Sequence, residues 1–151
     1  MPRDSRMSRV LHVLIHMDRH VEQPTSQQLS GMLGTNAVVV RRMMSGLRDQ
    51  GIVAALRGRH GGWQLTKNLD VVSLLDVYNA LERPTLFNIG PGSENPDCFV
   101  ERAVQDRMEQ TLGDAERLVL QQFANVTVAD IAADFDRRMS MQPTSSYECG
   151  G

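Results

Sequence analysis

Thiols are scarce in this chain: its 151 residues include two cysteines, Cys98 and Cys149. Two such residues make no disulfide framework, and a reducing compartment suits them better than an oxidising one. Any role for them is reactive or metal-binding. No apolar run approaches the length of a membrane span, and the N-terminus lacks the apolar core of a signal peptide, so a cytoplasmic location with no membrane partner is expected. Also missing are a nucleophile motif, a pair of carboxylates in a cleft setting and a phosphate-binding loop, which leaves little basis for an enzyme. Lysine is almost absent. Fifteen of the sixteen cationic side chains are arginine, the type suited to bidentate contact with phosphate or guanine.

The length and a 41% hydrophobic content allow one core and an appendage. A formal net charge of -2 hides a strong asymmetry. Residues 1–67 carry ten Arg or Lys against four acids, while residues 68–151 carry six against fourteen. The first part therefore attracts polyanions, and the second is left to solubility and protein contacts.

Met7, Val10, Leu11, Leu14, Ile15 and Val21 recur at helical spacing, which predicts a first amphipathic helix over about residues 6–21. Pro24 ends it. Thr25 or Ser26 offers a hydroxyl cap to a short second helix with Leu29, Met32 and Leu33, closed by Gly34. Asn36 can cap a third helix to about Gln50, whose buried side holds Val39, Val40, Met43, Met44 and Leu47. Two such helices joined by a tight glycine-containing turn predict a helix-turn-helix, with the third helix entering the major groove.

Gly51 suits the left-handed end of that helix, and Ile52–Leu56 and Trp63–Leu65 suit a short paired ribbon. Between them, Gly58, Gly61 and Gly62 permit backbone angles that other residues resist, while Arg57, Arg59 and His60 project positive charge. A basic, glycine-rich hairpin directly after a helix is a wing, and double-stranded DNA becomes the first partner to consider. Trp63 is expected to pack beneath it as an anchor.

Ser73 can cap a fourth helix to about Leu81, with Leu74, Leu75, Val77, Tyr78 and Leu81 inward. Three prolines and two glycines make residues 83–97 a loop, where a ligand or sensor would sit. Val100, Ala103, Val104, Met108, Leu112, Ala115, Leu118, Val119 and Phe123 then predict one helix of about 25 residues, longer than globular helices usually are. Its apolar stripe would stay wet unless a second copy covered it. Thr127 caps a short helix, Val128–Phe135, and the tail from about Met139 is expected to be disordered. The fold class is thus mainly α with a small β-wing. Residues 1–82 form a winged helix-turn-helix, 83–97 a connecting loop, 98–138 a dimerisation helix with a short C-terminal helix, and 139–151 a tail.

With these elements placed, the chain resembles the Rrf2 family of bacterial transcription regulators. The resemblance rests on Met7-Ser8 opening the first helix, on the wing Ile52-Val53…Arg57-Gly58-Arg59-His60-Gly61-Gly62-Trp63-Gln64-Leu65, on Val72-Ser73-Leu74-Leu75-Asp76-Val77, and on Val126 to Ile131. It covers about residues 6–135. It implies a homodimer that binds a palindromic DNA operator and blocks or modulates transcription. Cluster-binding members carry three cysteines in the loop before the long helix; here Cys98 stands alone, so an iron-sulfur cluster of the usual kind cannot be built from one thiol per subunit. Val39, Arg41 and Arg42 stand where relatives often place Tyr, Glu and Gln, so the operator sequence cannot be borrowed.

Candidate DNA contacts are Ser26, Asn36, Val38, Arg41, Arg42 and Ser45 around the reading helix, and Arg57, Arg59, His60 and Gly61 at the wing. Arginine suits guanine and asparagine suits adenine. Asn36 either reads or merely caps, and Arg42 meets either a base or a phosphate. His12, His16 and His20 form a ladder at spacing four. In relatives a first-helix side chain can reach across the dimer to a cluster, so His12 and His16 of one subunit with Cys98 of another could hold a metal; the alternative is that these imidazoles edge the core or an interface. Cys98, at the start of the long helix, is either an oxidation sensor or inert. The competing function is a protein-interaction module that keeps the winged fold, which the positive charge of residues 1–67 argues against.

Overall fold

The computed structural model describes residues 4–20, 22–90, 92 and 97–141. Its order is α1 (Arg6–Arg19), α2 (Ser26–Leu33), α3 (Ala37–Asp49), β1 (Val53–Leu56), β2 (Gly62–Leu65), a 3-10 turn (Leu69–Val71), α4 (Leu74–Ala80), α5 (Phe99–Asn125) and α6 (Val128–Ser140). Side-chain caps fix most helix starts, because the first backbone N–H groups of a helix lack internal acceptors. Thr25 with Gln28, Ser73 with Asp76 and Thr127 with Asp130 form reciprocal capping boxes, and Asn36 accepts from the Val39 N–H.

The core gathers Val10, Val13 and Leu14 from α1, Leu29 from α2, Val40, Met44 and Leu47 from α3, Ile52 and Val53 beside the ribbon, Val77 from α4 and Val128 from α6. Of the α4 residues expected inward, Val77, Tyr78 and Leu81 are buried, while Leu74 and Leu75 are half-buried. β1 and β2 pair antiparallel, with Ala55 opposite Trp63. α6 returns to the core and is tied to α1 by the Arg19–Asp136 ion pair at 2.5 Å.

Three helices end in the same Schellman-type pair of hydrogen bonds. Thr35 and Gly34 donate to Ser30 and Gly31 after α2, and Ile52 and Gly51 to Leu47 and Arg48 after α3. After α4, Arg83 and Glu82 donate to Tyr78 and Asn79. This geometry needs a left-handed residue, normally glycine. Gly34 (φ 60°) and Gly51 (φ 66°) supply it twice; at the third site Glu82 (φ 62°) takes it, followed by Arg83 (φ 53°). A left-handed residue with a Cβ costs about 1–2 kcal/mol.

Two expectations are corrected. α6 does not stop at Phe135 but runs to Ser140, so Met139 and Ser140 belong to a helix rather than to a tail. No breaker intervenes, and Arg137 pairs with Asp134 one turn back. Among the three wing glycines only Gly58 (φ 103°) uses a positive φ. Gly61 and Gly62 are required for space instead: a Cβ at Gly62 would strike the Gln23 and Pro24 carbonyl oxygens, and one at Gly61 the Leu56 and Gly58 carbonyl oxygens. Residues 142–151, with Cys149, lie outside the described residues, as do Val21 and loop residues 91 and 93–96.

Candidate nucleic-acid interface

α3 presents one buried face, Val40, Met43, Met44 and Leu47, and one outward stripe. Val38, Arg41 and Arg42 are exposed on that stripe, with Ser45 half-buried among them. Val38 keeps 68% of its surface exposed although valine is ordinarily buried. Asn36 serves as the cap of this helix, its Oδ1 accepting from Val39 at 2.9 Å. Ser45 Oγ accepts from Arg48 at 2.9 Å.

The two adjacent arginines part company. Arg41 lines an open cleft with Thr25, Ser26, Ala55, Leu56, Gly58, Gly61, Gly62 and Trp63, between the helix-turn-helix and the wing. Arg42 leans the other way, over a cavity of about 300 Å³ with Arg6, Met43, Gly46, Asp49 and Glu82, and pairs with the Glu82 carboxylate at 3.4 Å. The sequence marks both as outward; it does not reveal that α4 lies on one flank and the wing on the other.

The wing is docked by its stem and free at its tip. Trp63 is buried, its backbone N–H donates to the Pro24 carbonyl at 2.9 Å, and its Nε1–H donates to Ser26 Oγ at 2.9 Å. Ser26, expected to touch DNA, thus also fastens the wing to α2. The tip residues Arg57, Arg59 and His60 are exposed, and the Gly61 N–H closes their turn on the Gly58 carbonyl at 3.0 Å.

Away from this face, the histidine ladder lies along α1. His16 and His20 stack with ring centroids 4.2 Å apart, and His12 meets His16 edge-on at 6.3 Å. Burial, then the neighbouring His20 and His12, hold the His16 imidazole below its usual range. Cys98 is half-buried at the α5 N-cap and makes no capping hydrogen bond. Among the described residues of one chain, no three His, Cys, Asp or Glu side chains converge on a common point. The donor set does not fit a cluster held by a single chain, which takes four thiolates or their equivalents. A metal on His12, His16 and Cys98 would require two copies.

α5 carries no buried residue. Phe99, Val100, Val104 and Leu118 are exposed, while its C-terminal half leans on α4 through Phe123 and Tyr78, ring centroids 6.0 Å apart. No helix among the described residues is long and apolar enough to cross a membrane.

An outward third helix beside a glycine-tipped basic hairpin defines a winged helix-turn-helix protein. The Rrf2 family model, described as an iron-dependent transcriptional regulator, matches residues 3–134, and the chain belongs to that family. It is a transcriptional regulator rather than an enzyme. It is 30% identical over 130 residues to YwnA of Bacillus subtilis, whose name places it among HTH-type transcriptional regulators, covering 85% of this chain and 95% of that one. Its fold matches a crystal structure from Lactobacillus plantarum classed with transcriptional regulators (24% identity, TM-score 0.74, 89% and 91% of the two chains). It also matches the B. subtilis global cysteine regulator CymR (18%, TM-score 0.59, 88% and 97%).

Proposed function

We propose that the protein is a homodimeric, sequence-specific repressor that grips a palindromic operator with two reading helices and two wings. One observation carries this reading: Val38, Arg41 and Arg42 on the outward stripe of α3 and Arg57, Arg59 and His60 at the wing tip are all exposed, a cationic surface beside an outward helix. Arginine at that helix suits guanine edges, and arginine at a flexible tip suits the phosphate backbone or adjoining minor groove. The wet stripe of α5 supports the dimer, because a 27-residue helix with exposed Phe99, Val100, Val104 and Leu118 leaves apolar surface that a second copy would remove from water. A two-fold dimer reads half-sites about 34–36 Å apart. A signal acting on residues 83–98 would change how α5 holds the two heads, and so the half-site spacing they fit.

The test is selection of duplexes from a random pool by the full chain, with sedimentation of the protein alone and with the winning duplex. The expected result is a palindromic consensus bound by two chains. A monomer that enriches no duplex would overturn the reading.

A further inference from the structure

We infer that Glu82 is a positioning residue for DNA recognition: it holds Arg42 in the pose in which that arginine reads a guanine. The inference rests on the reading of α3 as the DNA-contacting helix. Glu82 occupies the left-handed position of a Schellman cap, and the two other caps of this kind among the described residues place Gly34 and Gly51 there. A side chain at that position works against the backbone, which makes the contact its carboxylate makes a candidate for what offsets the strain. The carboxylate of Glu82 reaches the Arg42 guanidinium, Nη2 to Oε2 at 3.4 Å, across 40 positions of sequence. Arg42 remains 79% exposed while paired. One guanidinium nitrogen is engaged, and the remaining N–H groups stay open to solvent on the outward stripe of α3. This arrangement steers a long side chain without hiding it. An arginine already oriented loses less freedom when it docks on the O6 and N7 acceptors of guanine.

The backbone leading to Glu82 packs against α3. Ala80, two residues earlier, packs so tightly on α3 that a Cβ at Gly46 would strike its carbonyl oxygen. The backbone at the end of α4 is thereby placed directly beside the reading helix, within reach of Arg42 for the Glu82 carboxylate. Near a phosphate backbone the same carboxylate is repulsive. Glu82 accordingly lowers affinity for DNA in general while raising preference for a guanine at one place, and these two effects have opposite signs on removal.

The experiment uses the full chain, the duplex it selects, a scrambled duplex, and selected duplexes in which each guanine in turn is 7-deazaguanine, lacking the N7 acceptor. Glu82→Gly removes the carboxylate and relieves the left-handed backbone, so the fold is retained; thermal unfolding verifies this. For the unaltered protein, one deazaguanine position per half-site is expected to lower affinity about tenfold. Glu82→Gly is expected to lose up to about tenfold of its preference for the selected over the scrambled duplex, to bind the scrambled duplex at least as tightly, and to become less sensitive to that deazaguanine. Arg42→Ala, which removes the reading group, should abolish that sensitivity, and Glu82→Gln, which retains an acceptor, should keep more of it than Glu82→Gly. A Glu82→Gly protein with full preference and full deazaguanine sensitivity would overturn the proposal alone, as would an equal loss on both duplexes. Failure of the unaltered protein to select any duplex would overturn the underlying reading as well.

Discussion

The indole Nε1–H of Trp63 donates to the hydroxyl of Ser26 at 2.9 Å, joining the second strand of the wing to the first residue of α2. The bond is partly buried, so an N–H left there without its acceptor is costly. Ser26→Ala should therefore destabilise the protein by about 1–2 kcal/mol, read from urea unfolding. Trp63→Phe removes the donor at a cost in core packing, and in the Ser26→Ala background it should cost less than it does alone, because no unpartnered N–H is then left. Equal, additive losses would show that the two side chains do not act as a pair.

Gly46 and Gly31 are both helical glycines and should respond oppositely to alanine. The Gly46 position faces the Ala80 carbonyl of α4, a backbone obstacle, and Gly46→Ala should cost about 3 kcal/mol. Nothing lies within 4 Å of a Cβ placed at Gly31, so Gly31→Ala should add about 0.5–1 kcal/mol by helix propensity. Thermal or urea unfolding of the two variants decides it.

Much of the fold is legible along the chain because its signals are local. Thr25, Asn36, Ser73 and Thr127 each precede an apolar period and each caps its helix. The wing announces itself through arginines set among glycines. What escapes is non-local. Nothing near Gly46 in the sequence says that α4 will press on it, and nothing in Leu81-Glu82-Arg83-Pro84 says that a Schellman cap will form without glycine, although Pro84 marks a helix end. Arg41 and Arg42 look equivalent as neighbours in the sequence. Only the positions of wing and α4 send one to the ribbon and the other to Glu82.

His16 gives the stability a pH dependence of definite sign. Its folded pKa lies below the ordinary histidine value of 6.5, first through burial and then through His20 and His12, so the folded state binds fewer protons than the unfolded chain. Stability should fall as pH drops through the unfolded value near 6.5 and level off below the folded one. His16→Gln should flatten that slope. Urea midpoints at about pH 7.5, 6.5 and 5.5 for both proteins, spanning the histidine range, provide the comparison, and a slope unchanged by the substitution would assign the effect elsewhere.

Val104 and Leu118 leave apolar surface on α5 that one chain does not cover. Val104→Asp and Leu118→Asp should leave the winged core folded, since neither residue belongs to it, and should shift the sedimentation coefficient toward the monomer. Operator affinity should drop with it, because two heads no longer bind as one unit. An intact dimer in both variants would place the subunit contact on another surface.

Whether the α3 and wing face holds a polyanion is read from the salt dependence of duplex binding. For the unaltered protein the logarithm of the association constant should fall steeply and linearly with the logarithm of salt concentration. Arg57→Ala combined with Arg59→Ala should make that slope shallower by roughly 1 for each phosphate the wing tip no longer neutralises. A flat salt profile, or a slope indifferent to both arginines, would contradict the account.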